Sequence, residues 1–532
     1  MSKPPAYAPQ IKSWLDRIGN WNPQLLREIR GKLTLRSLIV AIALSLLFQI
    51  LLLLFYSQRL PNEQCYVQMR GLGCVSSWEN WWLEQFRFIT WTQPFVLFFI
   101  GVYSLIADLS LEDYKGTLNF IRISPRSSIN ILMGKIMGVP MLAYISIGLM
   151  IPYHLIAAIA ANVPIAFLLS FYILLIGGAF TLFSASLLLA LLDGWQAKFG
   201  GQVSAGALLF SFLSFIWITP AFMWWNIFTT WSSYSKFLVG QQIGAVQLEW
   251  WYLSITSNNL TSHIFTIANL VIASLAIWQI LERRFHNPNA TLVSKGQSYA
   301  INAYLQILML GFCMQSTFSF DNNPFEPQLI LLLLIYIANF FLFLAAIAAL
   351  TPQRQAILDW VRFGALSSTE EHPKGWGYMV QELIWADKSP APIAIILNLV
   401  FTQVPLLIWV NSWTNLTTRN KAFVILASFA ITMLLFALIA QLVLFLRTRN
   451  PAAWVTGIIA AIFLLPALIM LSLSISPERY ASLWLFFGFP WVAVSNIKIS
   501  NVILAFTAQF SVIIALTLQL IYQLQHAKMR ET

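Results

Sequence analysis

Between residues 108 and 135 the chain sets Asp108, Glu112, Asp113, Lys115, Arg122, Arg126 and Lys135 in a segment flanked on both sides by long apolar runs. Leu111, Tyr114, Leu118 and Ile121 recur among them at helical spacing, which predicts a short surface helix with one greasy face and one charged face. Gly116 permits a bend. Ser124-Pro125 reads as an N-cap followed by proline at the first helical position, opening the next helix. These residue types form no catalytic centre. An apolar stripe bordered by both signs of charge, with a bend in it, is a handle that another protein can grip.

Other chemistry is excluded by what is missing. No Gly-x4-Gly-Lys-Ser/Thr occurs, so the chain has no phosphate-cradling loop, and any ATP hydrolysis that drives it belongs to another polypeptide. His-Glu-x-x-His and Cys-x-x-Cys are also absent, which leaves no metal-hydrolase or zinc signature and no expected metal site. The five histidines are scattered, and only His154 falls well inside an apolar run, where hydrogen bonding to a neighbouring helix is the expected role. The chain is not expected to be an enzyme. Of three cysteines, Cys65 and Cys74 stand nine apart in one polar stretch, where they can pair on an oxidising face or remain free thiols.

The elements around the handle follow from composition. Of 532 residues 58% are hydrophobic and 10% charged, far below the usual quarter for a soluble domain. Apolar runs of span length recur throughout, at 37–56, 91–108, 131–160, 164–192, 203–231, 263–281, 299–316, 328–350, 390–411, 422–446, 452–474 and 500–522. The expected fold is therefore all-α, a polytopic membrane bundle of about twelve spans. Net charge is +11, but the cations lie in the connections, which points to lipid headgroups and not to nucleic acid. With the N-terminus inside, the inner segments 1–36, 109–135, 193–202, 282–298, 351–389, 447–451 and 523–532 hold seven, four, one, three, four, two and two Lys or Arg, leaving eight of the 31 elsewhere. That bias predicts cytoplasmic N- and C-termini; the expected location is a plasma or inner membrane.

Ahead of the first span, Ile11, Trp14, Leu15 and Ile18 keep helical spacing. Asn22-Pro23 then caps a turn with Leu25, Leu26 and Ile29 on one side and Arg27, Arg30 and Lys32 on the other. Residues 1–36 thus read as an interfacial elbow, held in the headgroups by Trp14, Trp21, Arg27 and Arg30. On the opposite side of the membrane, 57–90 reads as a polar loop closed by Trp78, Trp81, Trp82 and Trp91. Tryptophan-rich stretches at 217–251 and 480–495 read as interfacial or re-entrant hairpins.

A repeat organises the whole. Ser124-Pro125-x5-Ile131-Leu132 recurs as Ser389-Pro390-x5-Ile396-Leu397, and Val139-Pro140 as Val404-Pro405, both 265 residues on. This register makes 37–281 and 299–522 two six-span halves joined by a cytoplasmic linker, 282–298, with a tail at 523–532. The second half has a longer inner loop, 351–389, with Thr351-Pro352 as cap and an amphipathic piece carrying Ile357, Trp360, Val361 and Arg362.

Glu112-x3-Gly116-Thr117-Leu118, then Ser124-Pro125 and Gly134-Lys135, resembles the loop between the second and third spans of type 2 ABC transporter permeases, and the elbow resembles that of the same family. The resemblance implies that 109–130 is a coupling helix, with Glu112, Asp113, Lys115, Gly116, Thr117, Leu118, Arg122, Ser124 and Pro125 on the face that docks on an ATP-binding-cassette subunit. It implies that ATP and magnesium are bound by that partner, that this chain holds no cofactor, and that an apolar or amphipathic substrate is exported between the halves. The second loop lacks the Gly-Thr-Leu element. A different class of reading is a membrane anchor or scaffold that recruits soluble partners through the same loops. An ion-coupled carrier fits less well, because the span interiors lack the carboxylate or base that binds the driving ion. If the repeat supplies both halves, one copy of this chain should suffice. The mass of the detergent-purified complex checks this, and a mass requiring two copies would refute it.

Overall fold

The computed structural model describes residues 16–60, 77–192, 204–241, 247–288, 290–315, 327–366, 376–446, 451–493 and 498–529. Trp14 and the Cys65–Cys74 pairing lie outside them. Among the described residues only two two-residue strands interrupt the helices. The chain divides into two compact units, 1–248 with 254–288, and 249–253 with 289–532.

The first unit begins with the elbow helix α1 (Pro23–Lys32) and the span α2 (Leu35–Ser57). It continues with α3 (Ser77–Tyr114), the short α4 (Thr117–Arg122), α5 (Ser128–Gly138), and the spans α6 (Met141–Ala160) and α7 (Ile165–Ala190). The fifth crossing is α8 (Ser204–Leu213), a π-helical turn at Ser214–Ile218, and α9 (Thr219–Phe228). The π turn immediately precedes Pro220, which has no N–H to donate to the turn before it, and the Ser214 carbonyl accepts both the Thr219 N–H and, at 2.9 Å, Thr219 Oγ1. A short α10 (Ser235–Val239) and the span α11 (Asn259–His286) complete the unit.

The second unit holds α12 (Lys295–Cys313), α13 (Pro327–Leu350), α14 (Arg354–Leu366), α15 (Trp376–Trp385), α16 (Pro392–Asn411), α17 (Leu416–Phe445) and α18 (Pro451–Ser472). Short α19 (Ala481–Phe486) and α20 (Pro490–Ala493) precede the last span, α21 (Ile499–Met529).

Eleven described helices are long and apolar enough to cross a membrane. The span α2 explains why the protein must sit in one. It carries no charge after Arg36, yet only 17% of its most apolar window is buried, so Leu44, Leu47, Leu51 and Leu54 face outward. In water that exposed face would be strongly unfavourable, whereas lipid tails solvate it without cost. The chain is an integral, multi-pass membrane protein.

The expected seventh span is the exception. It exists as the helix α12, but Ser298, Asn302 and Gln306 run along it and keep it out of the apolar eleven. Those side chains are buried against neighbours. Asn302 Nδ2 donates to the Asn398 carbonyl (2.8 Å) and Thr402 Oγ1 (3.1 Å), and Gln306 Nε2 donates to Asn339 Oδ1 (2.7 Å). A polar stripe inside a bundle is hydrogen-bonded to its neighbours, and single-sequence hydropathy cannot see the partner.

Helix pairings recur between the units. In the first, α2 packs on α6, α3 on α7, and α7 on α11; in the second, α12 packs on α16, α13 on α17, and α17 on α21. The residue register differs from the sequence repeat, however. The matching 20-residue spans α6 and α16 begin at Met141 and Pro392, 251 residues apart. Val139-Pro140 opens a span, whereas Val404-Pro405 lies inside one. The shift arises because the first unit inserts the 11-residue α5 between Ser124-Pro125 and its span, while Ser389-Pro390 leads directly into α16.

The helix α3 also corrects two expectations. It extends from Ser77 to Tyr114, so Trp78, Trp81, Trp82 and Trp91 stand on a helix and not in a loop, and Asp108 to Tyr114 form its last two turns. The expected third span, 131–160, is broken at Val139-Pro140 into α5 and α6.

Two glycines set the position of the elbow. A Cβ on Gly134 would lie 2.9 Å from the Leu25 backbone nitrogen, and one on Gly138 would lie 2.5 Å from Glu28 Cβ. This Gly-x3-Gly face lets α1 lie directly on α5. Asn22 completes the joint: its Oδ1 accepts from Leu25 N at 3.0 Å, capping α1, and its Nδ2 donates to the Asn130 carbonyl at 2.6 Å. Gly138→Ala should therefore destabilise the protein by about 1–3 kcal/mol. Gly148→Ala, in a place where nothing lies within 4 Å, should be neutral or stabilise by up to about 1 kcal/mol. Thermal unfolding of the two variants in detergent checks the contrast; equal midpoints would refute it.

Candidate functional site

The charged residues of the first unit converge on Lys135. This side chain, from α5, is 1% exposed. Its Nζ lies 2.8 Å from Asp108 Oδ2, 2.8 Å from Glu112 Oε2 and 3.3 Å from Glu28 Oε1. Asp108 and Glu112 are four apart, so the last turns of α3 present both on one face. Glu28 comes from α1. Two further cations close the cluster from the elbow: Lys32 Nζ is 2.8 Å from Asp108 Oδ1, and Arg27 Nη2 is 2.7 Å from Glu112 Oε1. Three carboxylates and three cations thus tie three helices together.

The balance of charge favours the ammonium form of Lys135. Burial alone would lower the Lys135 pKa, but the carboxylates of Asp108, Glu28 and Glu112 outweigh it and hold the ammonium above its ordinary value. At Glu28 burial wins over the attraction of Lys135 and raises the carboxyl. The Lys135 contribution is complete below the free-lysine value of 10.5 and is lost as pH rises through the folded value above it. The three carboxylates offer oxygens within 4.8 Å of one another, a grouping that can hold a metal ion. Here the lysine ammonium supplies the central positive charge.

Beside the cluster, Gly116 turns the chain with φ +72° into α4, and Thr117 Oγ1 donates to the Glu112 carbonyl at 3.1 Å. Leu118 enters the core of the unit. The predicted stripe is therefore split: Leu118 and Ile121 pack inward, while Tyr114, Phe120 and Ile123 are 61%, 75% and 79% exposed. Glu112, expected on the docking face, is inside the cluster. Asp113 faces Arg122 at 4.0 Å, and Arg122 also donates to Asn119 Oδ1 and lies over the Phe285 ring. Lys115 and Arg126 are exposed beside the apolar residues. Ser124-Pro125 lies in the turn after α4, and the cap of the next helix is Ser127, whose Oγ accepts from Asn130 N. On the elbow, Trp21 and Arg30 face outward.

The second unit is built differently at the corresponding helix ends. Ile357 is buried, Trp360 Nε1 donates to Glu382 Oε2 at 3.2 Å, Val361 is half-buried and Arg362 is exposed. Its buried lysine is Lys295, whose Nζ donates to the Leu383 carbonyl (2.7 Å), Ser389 Oγ (2.6 Å) and the Pro390 carbonyl (3.3 Å). Burial, opposed only in part by Asp387, lowers this ammonium to about 8. Its pH dependence is opposite in sign to that of Lys135: from about 8 to 10.5 the folded chain has released a proton that the unfolded chain keeps, so stability rises with pH as the cost of burying the ammonium is relieved.

His154 is fully buried and takes a structural role, with Nε2 2.9 Å from Thr90 Oγ1 and Nδ1 2.8 Å from Tyr172 OH.

Comparison with protein-family models, with curated proteins and with solved structures gives no match.

Sequence reasoning grouped Asp108 and Lys135 with the loop but did not single them out, and it missed Glu28 and Lys32 as partners. Two signals were present, the Asp108–Glu112 spacing and Gly134-x3-Gly138. Lys135→Met should leave buried Glu28 without its cation, and Asp108 and Glu112 with only the elbow's Lys32 and Arg27, at a cost of about 3–5 kcal/mol. Thermal unfolding of the purified variant, with and without Glu28→Gln to relieve the excess negative charge, measures this. An unchanged midpoint for Lys135→Met would show that the cluster does not hold the unit together.

Proposed function

We propose that this chain is the membrane-spanning permease of an ATP-driven exporter of the ABC type 2 class, powered by a separate ATP-binding-cassette subunit. The observation that carries the reading is the helical corner at the end of α3. There the exposed Tyr114, Phe120 and Ile123, flanked by Lys115 and Arg126, project from a segment anchored immediately behind by Leu118 and by Glu112 in the Lys135 cluster. An apolar patch with a basic border, fixed to three helices, suits a partner that pushes. Movement imposed on the corner reaches α1, α3 and α5 together, because the ion cluster and the Gly134-x3-Gly138 contact join them.

In this reading the chemistry of ATP and magnesium belongs to the partner, and this chain converts its motion into a change between spans. The sites that meet the ATPase are then the outward residues of 114–126, with Glu112 as an internal strut. The substrate is apolar or amphipathic, the membrane is the plasma or inner membrane, and both termini are cytoplasmic.

Phe120→Ser combined with Ile123→Ser tests the reading on residues whose removal leaves the fold's interior untouched. Loss of two central apolar contacts should weaken ATPase binding by at least about 2 kcal/mol, roughly thirtyfold, with an unchanged thermal midpoint. Undiminished co-purification of an ATPase with the double variant would refute the docking site. Binding that never stimulates ATP hydrolysis would favour an anchor over a transporter.

A further inference from the structure

One face of α3 is concave and open. Phe88, Trp91, Phe95 and Phe99 follow one another at three- and four-residue steps, and with Thr92, Val96 and Ile100 they line a groove closed on one side by Phe215 from the π turn. Its volume is about 470 Å³, and its exposed lining is almost wholly apolar. From Phe88 to Ile100 the groove follows twelve residues of helix, roughly 18 Å at 1.5 Å per residue. That is about the length of an extended lipid chain. The π turn contributes to the shape by setting Phe215 against Phe95 at 4.7 Å and Phe99 at 6.0 Å.

The end of the groove at Phe88 is basic. Arg87 lies one turn before Trp91 on the same side of α3. Its Nε donates to the Phe237 carbonyl (2.9 Å) and its Nη2 to the Lys236 carbonyl (2.8 Å), which uses two of five N–H donors. The Lys236 ammonium, on an exposed residue, lies 4.8 Å from the Phe237 ring. Glu84 is the acidic group that acts on Arg87. A chain-length apolar slot with two cationic residues, Arg87 and Lys236, near one end is complementary to a molecule with an apolar tail and an anionic head.

We infer that the groove between α3 and the π turn binds an anionic phospholipid of the surrounding bilayer, one acyl chain lying along Phe88–Ile100 and the phosphate near Arg87 and Lys236. The inference is independent of any ATPase, since it uses only the groove and its charged end. Thr92 Oγ1 donates within its own helix, to the Phe88 carbonyl, and among the described residues no other hydrogen bond holds it, so Thr92→Trp can fill the slot from its open side.

The full-length protein, reconstituted in vesicles containing a photoreactive phosphatidylglycerol with a diazirine on one acyl chain, provides the test. Peptide mass spectrometry should locate label in 88–100 and at Phe215. Thr92→Trp should abolish that label while labelling elsewhere on the chain persists. Lys236→Gln should reduce it about fivefold, the effect of one basic residue near an anionic surface. A phosphatidylcholine probe should label the groove less than the phosphatidylglycerol probe in the wild type. Equal labelling by the two probes would overturn the headgroup assignment. Absence of label from the groove, with cross-links there to a second copy or to another part of the chain, would overturn the lipid assignment altogether.

Discussion

A lysine ammonium surrounded by three carboxylates at the end of a membrane bundle is the interaction on which the first unit depends. None of the four groups can be stably buried alone, since each carries a desolvation cost of several kcal/mol. Together with Lys32 and Arg27 they balance, and the balance requires contributions from α1, α3 and α5 at once. The glycine face on α5 makes this possible. With larger residues at 134 and 138 the elbow would stand off, and Glu28 would not reach Lys135. Packing and charge are therefore one constraint, expressed through Gly134, Lys135 and Gly138 within five residues.

The two units solve the same anchoring problem with different chemistry. Lys135 is satisfied by carboxylates and is held protonated by them, whereas Lys295 is satisfied by two backbone carbonyls and a serine hydroxyl and is easier to discharge. The first unit ends in a corner whose apolar residues face outward. In the second, Ile357 and Trp360 turn to neighbouring structure. A shared set of helix pairings thus carries two dissimilar ends, which accords with the longer second loop seen in the chain itself.

Much of the bundle was legible in the sequence because lipid imposes a simple rule: apolar runs of span length become helices. Eleven of the expected crossings follow that rule, and α12 departs from it because its polar stripe meets Asn339, Asn398 and Thr402 on other helices. Asn22-Pro23 is visible as a cap because capping is local. The cluster was less visible because it is not local; Glu28 and Lys135 are 107 residues apart. The apolar stripe at 111–121 was read as one face, but the bend at Gly116 divides it, sending Leu118 inward and leaving Tyr114 out. The repeat register failed at Pro140 and Pro405 for a related reason. A shared dipeptide marks a chain position, while the inserted helix α5 decides which part of the span that position occupies.

The 107-residue separation also bears on how the protein is made. The elbow, carrying Glu28, leaves the ribosome before its partner Lys135, which follows only after two spans have been synthesised. At about 5–20 residues per second this interval is roughly 5–20 s. Throughout it the elbow has neither the glycine bed of α5 nor the Lys135 counter-charge, and Leu25 and Ile29 lack the cover they have in the folded unit. The joint between α1 and α5 can therefore form only after the first two spans have been made, while nine of the eleven apolar spans are still to come.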